Sequence, residues 1–257
     1  MRDKLKIGFF YKEELNLYGD NGNIEALVYR ASRRNIQVEV MEIDTETKMN
    51  SSNFTDINFI FMGGGPDSAQ KNIYKDLISN KKEYLRDYIE AGGVSLFVCG
   101  AFQLMGKYYL SSDNSTLEGL NIFSLYTKHY GPKKPRCIGN TAGEISGRIT
   151  QDPVFKNVNR LDNYLVGFEN HGGRTYLEDK EHLLSNVIKG HGNNSEDNTE
   201  GCIHLNSIGT YYHGPLLAKN PHLSDYLLAK ALNTDTLEVL EDVLENKAHT
   251  ASLKLKE

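Results

Sequence analysis

One cysteine lies where a thiol could act as a nucleophile. Cys99 falls in residues 94–105, VSLFVCGAFQLM, where an apolar run ends at Cys99-Gly100 and a helical pattern begins. The spacing predicts a strand, a sharp turn and a helix, with the thiol at the turn. A free thiol has a pKa of about 8.5, so attack on a carbonyl carbon at neutral pH needs a helix N-terminus or an imidazole beside it. The alternative is an inert cysteine that fills space at the end of a strand.

Eight histidines compete to be the base that such a thiol needs. His213 is the best placed, because it ends the β-rich run TYYHGP, and the Gly-Pro pair after it predicts a loop at the end of a strand. His171, inside the turn ENHGGR, is the second candidate, and His191 and His204 follow it. The sequence therefore predicts a Cys–His pair in which His213 is favoured.

Three consecutive glycines follow another predicted strand. Residues 63–65 come directly after the strand predicted at 58–62, whose last four residues are apolar, and glycines leave backbone N–H groups free to face a ligand. A tight turn is the alternative, and a phosphate-binding loop is excluded because the ending GK[ST] is missing. One of these amides and that of Gly100 could stabilise the oxyanion formed when a thiolate attacks a carbonyl. Thiol, base and two such donors specify acyl transfer from an amide or an ester.

An α/β fold is predicted to position these residues. Its first strands are predicted at residues 6–11, 36–43, 58–62 and 94–98, and its first helices at 24–34 and 67–90, the latter with a break near residue 80. Strands joined through helices run parallel, so the glycine and cysteine loops share the carboxyl edge of one sheet, where open α/β sheets bind ligands. An antiparallel extension and a closing helix are predicted at 125–129, 143–149, 164–168, 203–205, 207–212 and 222–232. Residues 190–201 read as a long polar, mobile loop.

Composition excludes several classes of function. The 257 residues carry a formal net charge of -5 without a long Lys/Arg run, which argues against nucleic-acid binding. We expect a cytoplasmic protein, because no apolar stretch has the length of a signal peptide or a membrane span. The three cysteines lack the spacing of a zinc site, so no metal is expected. We predict one domain at residues 1–233 and an acidic C-terminal extension at 234–257.

The motifs GGGPD, VCGAFQLMG and TYYHGP, in this order, resemble the class I, or triad-type, glutamine amidotransferase domain in its cobyric-acid-synthase-like branch. Within that branch, NLYGDNGNI, LEGL and VGFENHGGRTY are similar to the glutaminase subunits of bacterial lipid II isoglutaminyl synthases. The resemblance covers about residues 5 to 232. It implies a flavodoxin-like, three-layer α/β fold with a mostly parallel central sheet and an antiparallel extension.

The resemblance also implies roles for particular residues. Cys99 would form a thioester with L-glutamine, His213 would be its base, and the amides of Gly64 and Gly100 would form the oxyanion hole. Gln103 would help to hold the site.

Two further motifs surround the predicted substrate site. Arg136 ends the basic loop GPKKPR and falls where the family places a substrate-binding arginine, which would pair with the α-carboxylate of glutamine. Whether His171 or Arg174 of ENHGGR touches the substrate or a partner is left open.

One position departs from the pattern of the wider class. Most class I glutaminases have a glutamate two residues after the histidine, whereas this chain has Pro215, as in the cobyric-acid-like branch. Either the Cys–His pair suffices or a partner subunit supplies the carboxylate. We favour the second hypothesis, because it would keep glutamine hydrolysis slow until ammonia has an acceptor.

The chain carries no ATP-binding signature, although an amide bond can form from a carboxylate and ammonia only after activation. The resemblance implies a Mur-ligase-like, ATP-dependent partner in a heterodimer, with ATP and Mg on the partner and no cofactor in this chain. Its acceptor would be the α-carboxyl of D-glutamate in the lipid II stem peptide, which becomes D-isoglutamine in peptidoglycan biosynthesis.

Three alternatives stay open from the sequence. The chain could supply another amidating ligase of the cobyric-acid type. It could be a γ-glutamyl hydrolase or a relative of cysteine peptidases that uses the same thiol on another amide. It could also be a regulatory subunit without catalytic activity, which the missing local acid would explain.

Overall fold

The chain alternates strands and helices in its first part and is richer in strands afterwards. The computed structural model describes residues 4–49, 56–159 and 161–255. Its strands are β1 (Lys4–Phe10), β2 (Gln37–Ile43), β3 (Phe59–Met62), β4 (Ser95–Val98), β5 (Tyr108–Leu110), β6 (Thr116–Glu118), β7 (Leu125–His129), β8 (Cys137–Ile145), β9 (Tyr164–His171), β10 (Gly173–Leu177), β11 (Ser185–Lys189), β12 (Thr199–Glu200), β13 (Cys202–His204) and β14 (Ser207–Thr210). Its α-helices are α1 (Gly22–Ser32), α2 (Asp67–Asp76), α3 (Lys82–Glu90), α4 (Gly100–Met105), α5 (Gly147–Thr150), α6 (Pro153–Val158), α7 (Leu216–Lys219), α8 (Pro221–Leu232) and α9 (Val243–Lys254).

A six-stranded sheet in the order β13-β14-β4-β3-β1-β2 forms the centre of the fold. The pairs within it are parallel, except that β13 is antiparallel to β14. Every residue of β3 and β4 is buried, as expected for a parallel sheet whose two faces are covered. Because β1, β3, β4 and β14 are parallel, the loops that follow them leave from the same edge. The predicted parallel core is confirmed.

Two smaller sheets form the antiparallel extension. Their strand orders are β10-β7-β5-β6 and β12-β11-β8-β9, and only the pair β5–β7 is parallel. Phe168 of β9 also bridges His213, with hydrogen bonds of 3.0 and 2.8 Å between their backbone groups. The extension therefore fixes the backbone of the predicted base.

The break predicted in the helix over 67–90 is confirmed as a π-helical turn at Leu77–Lys81. Two other predictions on local structure need correction. The strand expected at 143–149 starts earlier, at Cys137, and ends at Ile145, because a short helix follows. The polar loop at 190–201 is packed into the protein, since Asn193 is fully buried and hydrogen-bonds Thr199 and Gly201.

A buried ion cluster joins the C-terminal segment to the rest of the chain. The carboxylate of Asp225 in α8 accepts hydrogen bonds from Arg30 at 2.6 and 2.7 Å and from Arg34 at 2.9 and 2.7 Å. Arg30 also donates to Asp242, and Arg34 donates to the carbonyl of Glu238. The division at residue 233 stays a prediction, and the last two residues of the predicted extension lie outside the described residues. None of the helices described here is both long and apolar enough to cross a membrane.

We predict that Asp225→Ala lowers the free energy of unfolding by about 3–5 kcal/mol, because it leaves two buried guanidinium groups without their shared carboxylate. Urea denaturation of the full chain measures this loss. Asp242→Ala is the control and should cost less, since Arg30 then keeps its bonds with Asp225. Equal losses for the two variants would contradict a central role for Asp225.

Candidate active site

Cys99 lies at the predicted turn between a strand and a helix. It separates β4 from α4 and has φ 51° and ψ −103°, a conformation that non-glycine residues rarely adopt. Such strain costs about 1–3 kcal/mol and is typical of functional turns. Cys99 is 9% exposed and lines a cavity of about 460 Å³. The thiol can therefore meet a ligand although its surroundings are buried.

His213 is the histidine that the structure brings to this thiol. Its Nδ1 lies 2.8 Å from Oδ1 of Asp20, and its Nε2 is buried without a hydrogen-bond partner in the described part of the chain. Burial by itself lowers the pKa of His213, but the hydrogen bond with Asp20 and the neighbouring Cys99 side chain raise it to about 10. The ring is thus held as an imidazolium beside the sulfur, which is the state that can donate a proton to a leaving group.

Asp20 corrects the hypothesis of a missing acid. It follows β1 and is fully buried, and its contact with His213 spans 193 positions of the sequence. The hypothesis of a carboxylate from a partner rested on the absence of an acid near Pro215. That absence is real, but the conclusion drawn from it is wrong, because Asp20 of this same chain supplies the orienting carboxylate.

Gly64 lies in the middle of these three side chains. A Cβ atom built on Gly64 would lie 2.9 Å from Cβ of Cys99, 3.1 Å from Oδ2 of Asp20 and 3.2 Å from Cε1 of His213. Its N–H donates to Oδ2 of Asp20 at 2.8 Å. No larger residue fits at position 64 without displacing one of these side chains. The oxyanion role of Gly64 stays a prediction, and it requires that the Gly64 N–H gives up its hydrogen bond with Asp20. Gly100, the other predicted oxyanion donor, is the first residue of α4, where helix N–H groups have no partner within the helix.

The predicted substrate arginine lies at the same cavity. Arg136 is exposed and lines it, and its Nε and Nη2 donate to the side-chain oxygen and the carbonyl of Asn170 at 2.9–3.0 Å. Arg174 is buried, is not among the residues that line the cavity, and donates to the carbonyl of Pro135 at 2.5 Å. Arg174 thus holds the loop that carries Arg136.

Gln103 also lines the cavity, but its amide is held by protein. Its Nε2 donates to the hydroxyl of Tyr211 at 3.1 Å, and its Oε1 accepts from Gln70 at 3.1 Å. This agrees with a role in holding the site, and contact with substrate stays a prediction.

The other candidate histidines do not serve as the base. His171 lines the cavity, but burial lowers its pKa to about 3 although Nδ1 contacts the carbonyl of Gly173 at 2.8 Å. His171 stacks on Tyr211 with ring centroids 3.7 Å apart. His191 and His204 are not among the residues that line the cavity, and His204 contacts Glu90 instead. Within the ranges that the structure describes, no cluster of His, Cys, Asp or Glu could hold a metal ion.

Sequence reasoning missed Asp20 and several residues that line the cavity, among them Tyr18, Asp67, Gln70, Tyr109, Ser112 and His129. A usable signal existed for Asp20, because NLYGDNGN follows a strand that ends at the same sheet edge as the glycine and cysteine loops. Tyr18 packs edge-on against His213 with centroids 4.9 Å apart, and Gln70 and Asp67 come from α2. Asp67 and Tyr18 belong to the motifs GGGPD and NLYGDNGNI, but no pattern assigned a role to their side chains, and none pointed to Gln70.

Comparison with known proteins gives a consistent family. The profile of the CobB/CobQ-like glutamine amidotransferase domain matches residues 6–221. The lipid II isoglutaminyl synthase (glutamine-hydrolyzing) subunit GatD of Staphylococcus aureus (strain N315) is 40% identical over 247 residues, which cover 95% of this chain and 91% of that protein. Its counterpart in Streptococcus pneumoniae (strain ATCC BAA-255 / R6) is 34% identical over 249 residues, covering 95% and 88%.

The fold has solved counterparts as well. A glutamine amidotransferase from Thermotoga maritima superposes with a TM-score of 0.53 at 13% identity, covering 97% of this chain and 94% of that one. At this identity the likeness shows the fold alone.

We predict that Gly64→Ala abolishes thiol chemistry without unfolding the protein, because the new methyl group would displace Cys99, Asp20 or His213. The measurement is the rate of Cys99 alkylation and of ammonia release from L-glutamine, the substrate that the sequence resemblance implies. Gly139→Ala is the matched control, since a Cβ there meets no atom within 4 Å. Normal rates in Gly64→Ala would contradict the close packing of the three side chains.

We predict that Asp20→Asn lowers kcat for L-glutamine by about 10²–10⁴-fold, as loss of the orienting carboxylate does in other triads. The side-chain oxygen of the new asparagine can accept a hydrogen bond from His213 or from the N–H of Gly64. Its NH2 group, which is a donor, then faces the other of these two donors and cannot bind it. Asp44→Asn, at an exposed turn, is the control and should keep full activity. An Asp20→Asn rate within a factor of three of the wild type would exclude Asp20 from the site.

The same variant tests the protonation of His213. Because its folded pKa is raised, the stability it contributes is fully present below its ordinary pKa of about 6.5 and is lost as pH rises towards about 10. We therefore expect the difference in unfolding free energy between wild type and Asp20→Asn to be largest near pH 6 and to narrow towards pH 10. Urea titrations at both pH values measure it, and a constant difference would contradict the raised pKa.

Proposed function

Because this chain belongs to the family of CobB/CobQ-like glutamine amidotransferase domains, we propose that it is the glutamine-hydrolysing subunit of a lipid II isoglutaminyl synthase. The observation that carries the proposal is the contact of His213 with Asp20 beside Cys99 at the carboxyl edge of the sheet. Two relatives bearing that name match nearly the full length of the chain.

The residues support a two-step acyl transfer. The Cys99 thiolate attacks the side-chain carbonyl carbon of L-glutamine, and the oxyanion that forms is stabilised by backbone N–H groups. His213 donates its proton to the departing nitrogen, so that the C–N bond breaks and ammonia leaves a thioester on Cys99. Water then attacks the thioester while His213 accepts a proton from it, so that the C–S bond breaks, L-glutamate is released, and the thiolate and the imidazolium are restored.

The raised pKa of His213 supports this order of events. An imidazolium held by Asp20 supplies the proton that the poor leaving group requires, whereas a neutral ring could not. Asp20 keeps Nδ1 protonated and leaves Nε2 for the reaction. The fixed tautomer means that one ring nitrogen serves both half-reactions.

The ammonia would be used by a second polypeptide. We propose a Mur-ligase-like partner that binds ATP and Mg and amidates the α-carboxyl of D-glutamate in the lipid II stem peptide. The names of the two relatives support this acceptor. The three cysteines are free thiols, which supports a reducing, cytoplasmic setting.

The proposal predicts that the chain alone releases ammonia from L-glutamine, because its nucleophile, base and orienting acid are all its own. Ammonia release is measured with and without the proposed ATP-dependent partner, and a glutamine-mimicking electrophile should label Cys99 of the wild type. Cys99→Ala is the control and should show neither signal. Activity only in the presence of the partner would show that the partner completes the site.

Amidated lipid II made by the pair from glutamine and ATP would identify the acceptor. Ammonia release without that product, with a cobyric-acid-type acceptor amidated instead, would replace the acceptor and keep the glutaminase. Preference for a γ-glutamyl peptide over free glutamine would favour the hydrolase alternative.

A further inference from the structure

An amino-acid substrate must be recognised at both charges of its α-carbon. L-Glutamine carries an α-carboxylate and an α-ammonium group, and the reacting amide lies at the other end of its side chain. Arg136 supplies a cation to the cavity but offers nothing to an ammonium group. This step rests on the proposed function, because it takes free glutamine as the substrate.

Asp67 supplies the complementary charge. Among the described residues that line the cavity, it is the sole carboxylate, as Arg136 is the sole guanidinium. The two come from different parts of the chain, since Asp67 begins α2 and Arg136 precedes β8. Both face the cavity that contains Cys99.

Asp67 is held in place by its neighbours. Its Oδ1 accepts from the hydroxyl of Tyr109 at 2.8 Å, and its Oδ2 accepts from the hydroxyl and the N–H of Ser112 at 3.0 and 3.3 Å. A carboxylate offers about four acceptor positions, so these three donors leave room for another. The side chain is half-buried, which leaves it open to the cavity.

Tyr109 lines the cavity together with Asp67 and Cys99. Its hydroxyl donates to Oδ1 of Asp67 at 2.8 Å, which fixes this carboxylate at the wall of the cavity. Burial raises the pKa of Tyr109, and the nearby charge of Asp67 raises it further, so the phenol stays a donor. An amino acid bound between Asp67 and Cys99 can present its side-chain amide to Cys99 while its α-carbon lies towards Asp67 and Arg136.

We infer that Asp67 binds the α-ammonium group of the substrate and, together with Arg136, selects free α-amino acids over simple amides. The carboxylate takes no part in the chemical step. Its loss therefore acts on binding of glutamine, and it leaves the hydrolysis of an amide without an α-amino group unchanged.

Asp67→Asn tests the inference on two substrates of the full chain. L-Glutamine is compared with glutaramate, which has hydrogen in place of the α-amino group, and ammonia release is measured for both. We expect kcat/KM for glutamine to fall about 10- to 100-fold, mainly through KM, because a charge-assisted hydrogen bond is lost. Glutaramate should keep its kcat/KM within a factor of two.

Binding of both compounds to Cys99→Ala and to Cys99→Ala/Asp67→Asn, measured by calorimetry, covers the case in which glutaramate reacts too slowly. Asp113→Asn is the matched control, because this exposed neighbour pairs with Lys71 and is not among the residues that line the cavity. It should leave both substrates unaffected.

The outcomes separate the inference from the function on which it rests. Equal losses on glutamine and glutaramate, in rate and in binding, would show that Asp67 only supports the loop of Ser112 and would overturn the inference. An unchanged KM for glutamine would also overturn it. A wild-type chain that releases no ammonia from glutamine would overturn the proposed function itself.

Discussion

A single buried carboxylate connects the parts of this site. Asp20 is fully buried, and it accepts hydrogen bonds from the ring of His213 and from the N–H of Gly64. An ionised group without contact to water is tolerated only when such partners satisfy it. The imidazolium of His213 is buried as well, so it requires the carboxylate as much as the carboxylate requires it. Base, glycine loop and acid therefore hold their positions together, and removal of one leaves a buried charge or donor without its partner.

The parallel sheet makes this contact possible. Asp20, Gly64, Cys99 and His213 follow β1, β3, β4 and β14, which lie in one sheet and point the same way. Residues far apart in sequence thus leave the sheet at one edge, and short loops bring them within bonding distance. The antiparallel extension adds the backbone bridge between Phe168 and His213, so the base is fixed from a second direction. The ends of the strands and the packed loops that follow them therefore set the geometry of the reacting groups together.

This arrangement explains what the sequence could predict. Cys99 and the three glycines end apolar runs, and the rule that parallel strands share a carboxyl edge was enough to bring them together. Asp20 was not predicted, because the acid that orients His213 was expected close to His213 in the sequence. The folded chain supplies it from 193 positions away. The extension was predicted in kind but not in detail, since strands as short as Thr199–Glu200 carry too few residues to show a period. The contacts of Gln103 with Tyr211 and Gln70 depend on packing, which no spacing reveals.

The two ends of the cavity obey different physical constraints. The reacting end is buried, so a change of charge there meets full desolvation and acts on the chemical step. The end that carries Arg136 is exposed, and water screens each charge and competes for it. An exposed charge binds a ligand well only when its position is fixed. Buried Arg174 fixes the loop that carries Arg136 by donating a hydrogen bond to the carbonyl of Pro135. Recognition on loops can therefore change without loss of the fold, whereas the group of Asp20, Gly64 and His213 can change only as a unit.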